Sequence, residues 1–125
     1  MAAKAKCASF LTKAEPINGG QLFISRVEDF EPAMVKSAVE MLSEKLKDSV
    51  VILVSVKGDS IFIMVKVSDN FVQKGINAGK IVGQIATACG GKGGGRPNFA
   101  QGAAKDASRL NEVLTQVSKE IKGLV

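Results

Sequence analysis

Two apolar runs near the middle of the chain, separated by a short polar turn, predict a β-hairpin. The first run is Val50–Val54 and the second is Ile61–Val65, with Lys57, Gly58 and Asp59 between them. A continuous run rich in β-branched residues is expected of a strand that is covered on both faces of its sheet. The hairpin therefore favours a layered fold in which helices pack on both sides of a sheet.

Three further segments carry apolar residues at the spacing of amphipathic helices, and a strand is predicted from Leu22 to Val27. The order helix, β, α, β, β, α, glycine loop, α predicts an α/β (α+β) class. We expect a single globular domain, with a small mixed or antiparallel sheet packed with helices. The three apolar stripes are Val35, Ala38, Val39, Leu42 and Leu46; Ala78, Ile81, Val82, Ile85, Ala86 and Cys89; and Leu110, Val113, Leu114, Val117, Ile121 and Leu124.

The first residues are rich in alanine and favour a helix, which Pro16 and the Asn18-Gly19-Gly20 turn would end. We interpret residues 1–17 as a partial linker helix, the end of a helix cut from a longer chain. Residues 18–125 are predicted to form the globular domain.

The composition favours a binding module over an enzyme. The 125 residues include no histidine, which excludes His-dependent nucleophilic catalysis and most transition-metal sites. The two cysteines, Cys7 and Cys89, are too few for a disulfide scaffold and suit buried thiols in a reducing compartment. No run of 18 apolar residues occurs, so no membrane-spanning helix is expected. We predict no catalytic residues and no metal site in this chain.

The positive charge is concentrated in one part of the chain. The segment from Lys74 to Arg109 contains six cations and one anion and so carries the whole net charge of +5. A neutral body with a basic segment suggests a polyanionic partner such as nucleic acid. A basic surface that is merely solvated is an equally open interpretation.

The segment Gly90–Pro97 is predicted to be a glycine loop between two helices, since five of its eight residues are glycine. It is not a Walker A loop, because Gly93 follows Lys92, and it lacks the last glycine of the dinucleotide fingerprint, where Arg96 stands. Glycines that adopt positive φ would let backbone N–H groups converge on an anion, with Lys92 and Arg96 adding charge. The alternative is a flexible linker between the helices.

Gly75, Gly79 and Gly83 are spaced four apart and would share one face of the preceding helix, which also carries Lys80 and follows Lys74. Glycines inside a helix cost about 1 kcal/mol each relative to alanine, so another group is expected to approach the backbone closely. That group is either the sheet of the same domain, which we favour, or a ligand.

Two phenylalanines, Phe71 and Phe99, flank the basic segment and could stack on nucleic-acid bases. Because the chain has only six aromatic residues, all Phe, a place in the core is the favoured interpretation for both.

The segments Gly75–Gly79, Ile81–Gly83 and Gly90–Gly102 together resemble the C-terminal domain of alanyl-tRNA synthetases. The same domain accompanies DHH phosphoesterases as their substrate-binding module. Arg96 followed by Pro97 is similar to the synthetase branch, because the phosphoesterase branch usually has His after the three glycines. The chain departs from the family at Asn77, where His is common, and at Gln101–Ala104, where the family has Gln-Ala-Gly-Gly.

The resemblance implies a non-catalytic tRNA-binding module that holds the tRNA elbow, where the D and T loops meet. It would assist aminoacylation and editing by other domains of an alanine–tRNA ligase. Those domains would hold the ATP and zinc, so no cofactor is expected here. The implied partners are alanine tRNA, the rest of the synthetase and a second copy of the chain. No association with a membrane is expected. The implied location is the cytoplasm, with an organelle left open.

The candidate nucleic-acid-binding residues combine the cations, the glycines and two amides. The cations would contact phosphates, the glycines would allow close approach of the backbone, and Gln101 would donate or accept a hydrogen bond. The full set is Lys74, Gly75, Asn77, Gly79, Lys80, Lys92, Gly93, Gly94, Gly95, Arg96 and Gln101. Two alternatives stay open: the substrate-binding domain of a DHH-type phosphoesterase, and a dimerisation or docking domain.

Overall fold

A computed structural model of the chain describes residues 15–17, 20–28, 31–46, 48–58, 60–106 and 108–124. Six strands and four helices lie within these ranges. The strands are β1 (Glu15–Ile17), β2 (Gly20–Glu28), β3 (Ser49–Lys57), β4 (Ser60–Val67), β5 (Lys92–Gly95) and β6 (Phe99–Ala104), and the helices are α1 (Pro32–Leu46), α2 (Asp69–Gln73), α3 (Ala78–Ala88) and α4 (Leu110–Leu124).

The strands form one mixed sheet in the order β1-β2-β3-β4-β6-β5. Strands β2 and β3 are parallel and are joined through α1, as parallel neighbours require a crossover connection. Every other neighbouring pair is antiparallel, including β3 with β4, where Val54 lies opposite Ile63. The predicted hairpin and the predicted mixed α/β class are therefore confirmed.

Helices cover both faces of the sheet, which explains why every residue of β3 except Lys57 is buried. On one face, α1 packs against alternate residues of β2 to β4, and this cluster includes Phe23, Val35 and Leu53. On the other face, which we call the covered face, α3 and α4 bury the opposite set of strand residues together with Ile81, Val82, Leu110 and Val117. The apolar stripes predicted for the helices are buried on one or the other of these two faces. The side chains of Leu46 and Leu124 lie outside the described part.

Helix α1 lies over β3 and β4, and among the residues that the structure describes none covers the far end of the sheet on this side. Register places Phe99, Gln101 and Ala103 of β6 on this face, with Lys92 opposite Ala103 and Gly94 opposite Gln101. Four of these residues are exposed, and Phe99 is half-buried. We call these five residues the open patch.

The glycine segment is an edge strand, so the prediction of a loop between two helices is wrong. Lys92–Gly95 pairs along its length with β6, and β6 itself was not predicted. Glycine provides no alternating side chains, so the pattern that identifies β3 and β4 is missing here. The proposed convergence of N–H groups at positive φ also fails, because Gly93, Gly94 and Gly95 are extended; the positive-φ glycines of the described residues are Gly58, Gly75 and Gly90.

Two predicted helices also need correction. The helix before the glycine segment is divided into α2 and α3, with Gly75 between them at φ +99°, a conformation that glycine adopts without strain. Gly75 is therefore not on the helix face that carries Gly79 and Gly83. The last three residues of the predicted linker helix form β1, whereas residues 1–14, with Cys7, and the Asn18-Gly19 part of the turn lie outside the described residues.

Candidate nucleic-acid interface

The N-terminus of α3 meets the end of the glycine strand. Asn77 caps the helix, since its Oδ1 accepts a hydrogen bond of 3.1 Å from the backbone N–H of Lys80. The N–H of Ala78 donates to the Pro97 carbonyl at 2.8 Å. These contacts place Asn77 beside the turn that carries Arg96, as the candidate site requires.

Gly79 and Gly83 face the backbone of β5. A Cβ added to Gly79 would lie 2.9 Å from the Gly95 oxygen, and one added to Gly83 would lie 3.8 Å from the Gly93 oxygen. The group that approaches this helix is therefore the sheet of the same domain, which confirms the favoured interpretation.

Along β5, the backbone N–H and C=O groups point alternately toward the partner strand β6 and toward the outer edge of the sheet. The N–H of Arg96 donates to the Phe99 carbonyl at 2.8 Å, which marks these two opposed residues as a hydrogen-bonded pair. Because such pairs alternate along an antiparallel ladder, Gly94 is bonded to β6, whereas the polar groups of Gly93 and Gly95 point away from it. The outward oxygens of Gly93 and Gly95 are those that α3 approaches.

Lys74, Gly75 and Lys80 lie away from the open patch. Lys74 follows α2, with its Nζ 5.5 Å from the centroid of the Phe71 ring, and Lys80 is exposed on α3. Lys80 and Gly75 line a cleft of about 630 Å³ between α3 and the end of α4. A hydrogen bond of 3.3 Å from Gln84 Nε2 to Glu120 Oε1 links these two helices. This group of candidate residues belongs to the covered face.

Lys92, Gly94 and Gln101 are the candidate residues that lie in the open patch. Arg96 is exposed at the turn that joins β5 to β6. Gly94, Gly95, Arg96 and Gln101 are among the residues around a shallow depression of about 390 Å³ at this end of the sheet. The structure therefore divides the predicted site between two faces that meet at Gly95 and Arg96.

Two residues next to the candidate site differ from the sequence interpretation. Phe71 is fully buried, as favoured, whereas Phe99 packs against the core cluster under α1 but is only half-buried and adjoins the depression. Lys66 was not predicted, although it lies opposite Phe99 on the same face of the sheet. The sequence could have indicated Lys66 as a candidate, because it is a charged residue inside the otherwise apolar run from Ile61 to Val67.

Cys89 and Asp106 lie where α3 ends and the chain leaves β6. The Cys89 carbonyl accepts hydrogen bonds from the N–H groups of Lys105 and Asp106, at 3.2 and 2.9 Å. Burial raises the pKa of the Cys89 thiol, and the nearby Asp106 carboxylate raises it further. Hydrogen bonds from Ser108 lower the pKa of the exposed Asp106. These shifts favour an uncharged thiol rather than a nucleophilic thiolate.

The described residues contain no group of three or more His, Cys, Asp or Glu side chains placed to hold a metal ion. Within that same part of the chain, no helix has the length and apolar character needed to cross a membrane.

Residues 19–123 match the model of the DHHA1 domain family, and the chain belongs to this family. The fold is similar to that of the C-Ala domain from Aquifex aeolicus alanyl-tRNA synthetase, with a TM-score of 0.75 and 30% identity. The match covers 87% of this chain and 96% of that domain. The family resemblance stated from the sequence is therefore confirmed.

Alanine–tRNA ligases are also similar to this chain in sequence. The ligase from Nostoc punctiforme is 40% identical over 119 residues, and the one from Exiguobacterium sibiricum is 34% identical over 122 residues. These matches cover 94% and 98% of this chain but 14% of each ligase, so the chain spans about one seventh of the length of these relatives. RecJ from Thermus thermophilus has the same fold, with a TM-score of 0.62 at 16% identity.

Proposed function

We propose that this chain is a non-catalytic tRNA-binding domain of an alanine–tRNA ligase, which holds the tRNA elbow while other domains aminoacylate and edit. The observation that carries the proposal is the 30% identity to the C-Ala domain over 96% of that domain's length. The localised positive charge supports the same conclusion, because tRNA is a polyanion. In this proposal ATP and zinc are held elsewhere in the ligase, and the ligase acts in the cytoplasm.

The two basic regions suit a ligand that wraps around the β5 end of the sheet. Lys92 is on the open patch and Lys80 is on α3, so a partner that reaches both must pass the edge formed by the glycine strand. Arg96 is exposed between the two regions and suits a contact with a phosphate, which its guanidinium can bind through two hydrogen bonds. A bent, folded RNA such as a tRNA elbow offers phosphates in several directions, and we expect recognition of its shape.

The test is a fluorescence-anisotropy titration with intact tRNA and with a transcript whose D-loop to T-loop contact is disrupted, each at two salt concentrations. We expect a clear loss of affinity when the elbow is disrupted. Arg96→Ala should weaken binding equally for several elbow-containing tRNAs and lower the dependence of log affinity on log salt by about one. Lys119→Ala, on the exposed side of α4, is the matched control and should bind like the original protein.

Each other result would contradict the proposal in a different way. Equal, salt-sensitive affinity for both RNAs would reduce the function to a general basic surface. Tighter binding of a mononucleotide than of tRNA would favour the phosphoesterase substrate domain. A concentration-dependent mass without any RNA binding would favour a dimerisation or docking domain.

A further inference from the structure

Phe99 presents part of an aromatic ring on the open patch. It lies on β6 directly opposite Lys66 and is only partly buried against the cluster under α1. By contrast, Phe71 is completely enclosed and is not accessible to a ligand. Of the two phenylalanines that flank the basic segment, Phe99 alone can therefore contact a partner.

The surface beside Phe99 is exposed and includes a polar side chain. Gln101 lies two residues along β6 on the same face and is exposed, and Gly94 is its neighbour across the strands. A Cβ added to Gly94 would meet no atom within 4 Å, so the glycine leaves open space next to the Gln101 amide. A shallow depression of about 390 Å³ lies here.

The charged residues on the strands of this surface all have one sign. Strands β4, β5 and β6 contain Lys66 and Lys92 but no Asp or Glu, and both lysines belong to the same face as Phe99. Arg96 adds a third cation at the turn. These strands present a ring, an amide and cations, with no carboxylate among their own residues. Such a set is complementary to a planar group that carries hydrogen-bonding atoms on its edge and anions beside it. Nucleotides of RNA have these properties.

We propose that the open patch binds an unpaired nucleobase of the RNA, which stacks on the Phe99 ring. The Gln101 amide hydrogen-bonds to the edge of that base, and Lys66 and Arg96 bind the flanking phosphates. This inference rests on the proposed function and adds a base-binding role to it. It also explains why a glycine suits position 94: without a side chain there, the area beside the base stays open.

A tryptophan introduced at this position tests stacking directly, because the chain contains no Trp or Tyr. Phe99→Trp keeps an aromatic ring at this position, and its fluorescence should be quenched when tRNA is added and the base stacks on the indole. Gln116→Trp, on the exposed side of α4, is the matched control and should not be quenched. Inorganic polyphosphate, a polyanion without bases, should leave the fluorescence of both variants unchanged.

Affinity measurements with two further variants separate stacking from folding. Phe99→Leu keeps an apolar side chain but removes the ring, and it should lower the affinity for tRNA by about 5- to 100-fold. Gly94→Val adds a side chain where the fold has room, so it should weaken tRNA binding without lowering the thermal unfolding temperature.

The outcomes distinguish this inference from the proposed function. Original affinity in Phe99→Leu together with an unquenched indole in Phe99→Trp would overturn the stacking proposal, while weaker binding by Arg96→Ala would leave the proposed function in place. Absence of tRNA binding by the original protein would overturn both.

Discussion

Gly79 and Gly83 lie about one turn apart on α3, yet the structure predicts opposite effects when each is replaced by alanine. A Cβ at position 83 makes an ordinary contact, at 3.8 Å from the Gly93 oxygen. Gly83→Ala should therefore gain the usual helix preference, up to about 1 kcal/mol in the free energy of unfolding. A Cβ at position 79 would lie 2.9 Å from the Gly95 oxygen, a backbone atom that must move. Gly79→Ala should lose about 1 kcal/mol or more.

Thermal denaturation followed by circular dichroism measures both variants, and each is the other's control. For a chain of this size we expect shifts of roughly 2–5 °C in the midpoint, upward for Gly83→Ala and downward for Gly79→Ala. Shifts in the same direction would mean that the helix does not approach β5 as closely as the structure places it.

At the scale of elements, the junction between α3 and β6 keeps Cys89 unreactive. Its side chain is completely buried, and its pKa is raised by burial first and by Asp106 second. A raised pKa means that the thiol keeps its proton through neutral pH, so the reactive thiolate is scarce. We expect alkylation of Cys89 by iodoacetamide to be much slower in the native protein than in denaturant.

Peptide mapping by mass spectrometry resolves Cys89 from Cys7 and supplies the rate for each. The denatured protein is the control, because unfolding removes both causes of the raised pKa. Equal rates for Cys89 in the two states at neutral pH would contradict the burial of this junction.

The elements differ in how far the sequence could predict them. Strands β3 and β4 follow from their apolar runs, since strands that are largely buried carry apolar residues at most positions. Strand β5 has three glycines among its four residues and is exposed throughout, so it carries no hydrophobic pattern at all. Its pairing with β6 is a tertiary interaction, held by α3 on its other side, and no local signal encodes it.

At the scale of the whole molecule, the location of the charge should matter more than its sum. Lys92→Glu and Lys119→Glu change the net charge equally, and both side chains are exposed. Of these two lysines only Lys92 belongs to the open patch, so Lys92→Glu should reduce tRNA affinity by about tenfold or more at low salt, because the carboxylate repels a phosphate. Lys119→Glu should change the affinity little.

Anisotropy titrations at two salt concentrations measure the two variants side by side. Equal losses in both would show that tRNA responds to net charge alone and would contradict a localised site.

The overall layout of the candidate site was only partly predictable. The sequence predicted that the glycines, Asn77 and Arg96 belong to one site, and the structure places Asn77 and Gly79 beside Gly95. It could not reveal that Lys80 and Lys92 lie on different faces of the sheet. That division depends on the register of β5 against β6, which is fixed by packing between segments distant along the chain.

The three consecutive glycines of β5 are required for different reasons, although they are the same residue type. A side chain on Gly93 would strike Val82, and one on Gly95 would strike Ala100, so both glycines are required by the fold itself. Gly94 faces open space, so a larger residue there would clash only with a bound ligand. In a library of random variants, selection for folding would therefore hold Gly93 and Gly95 constant and release Gly94, whereas selection for RNA binding would hold all three.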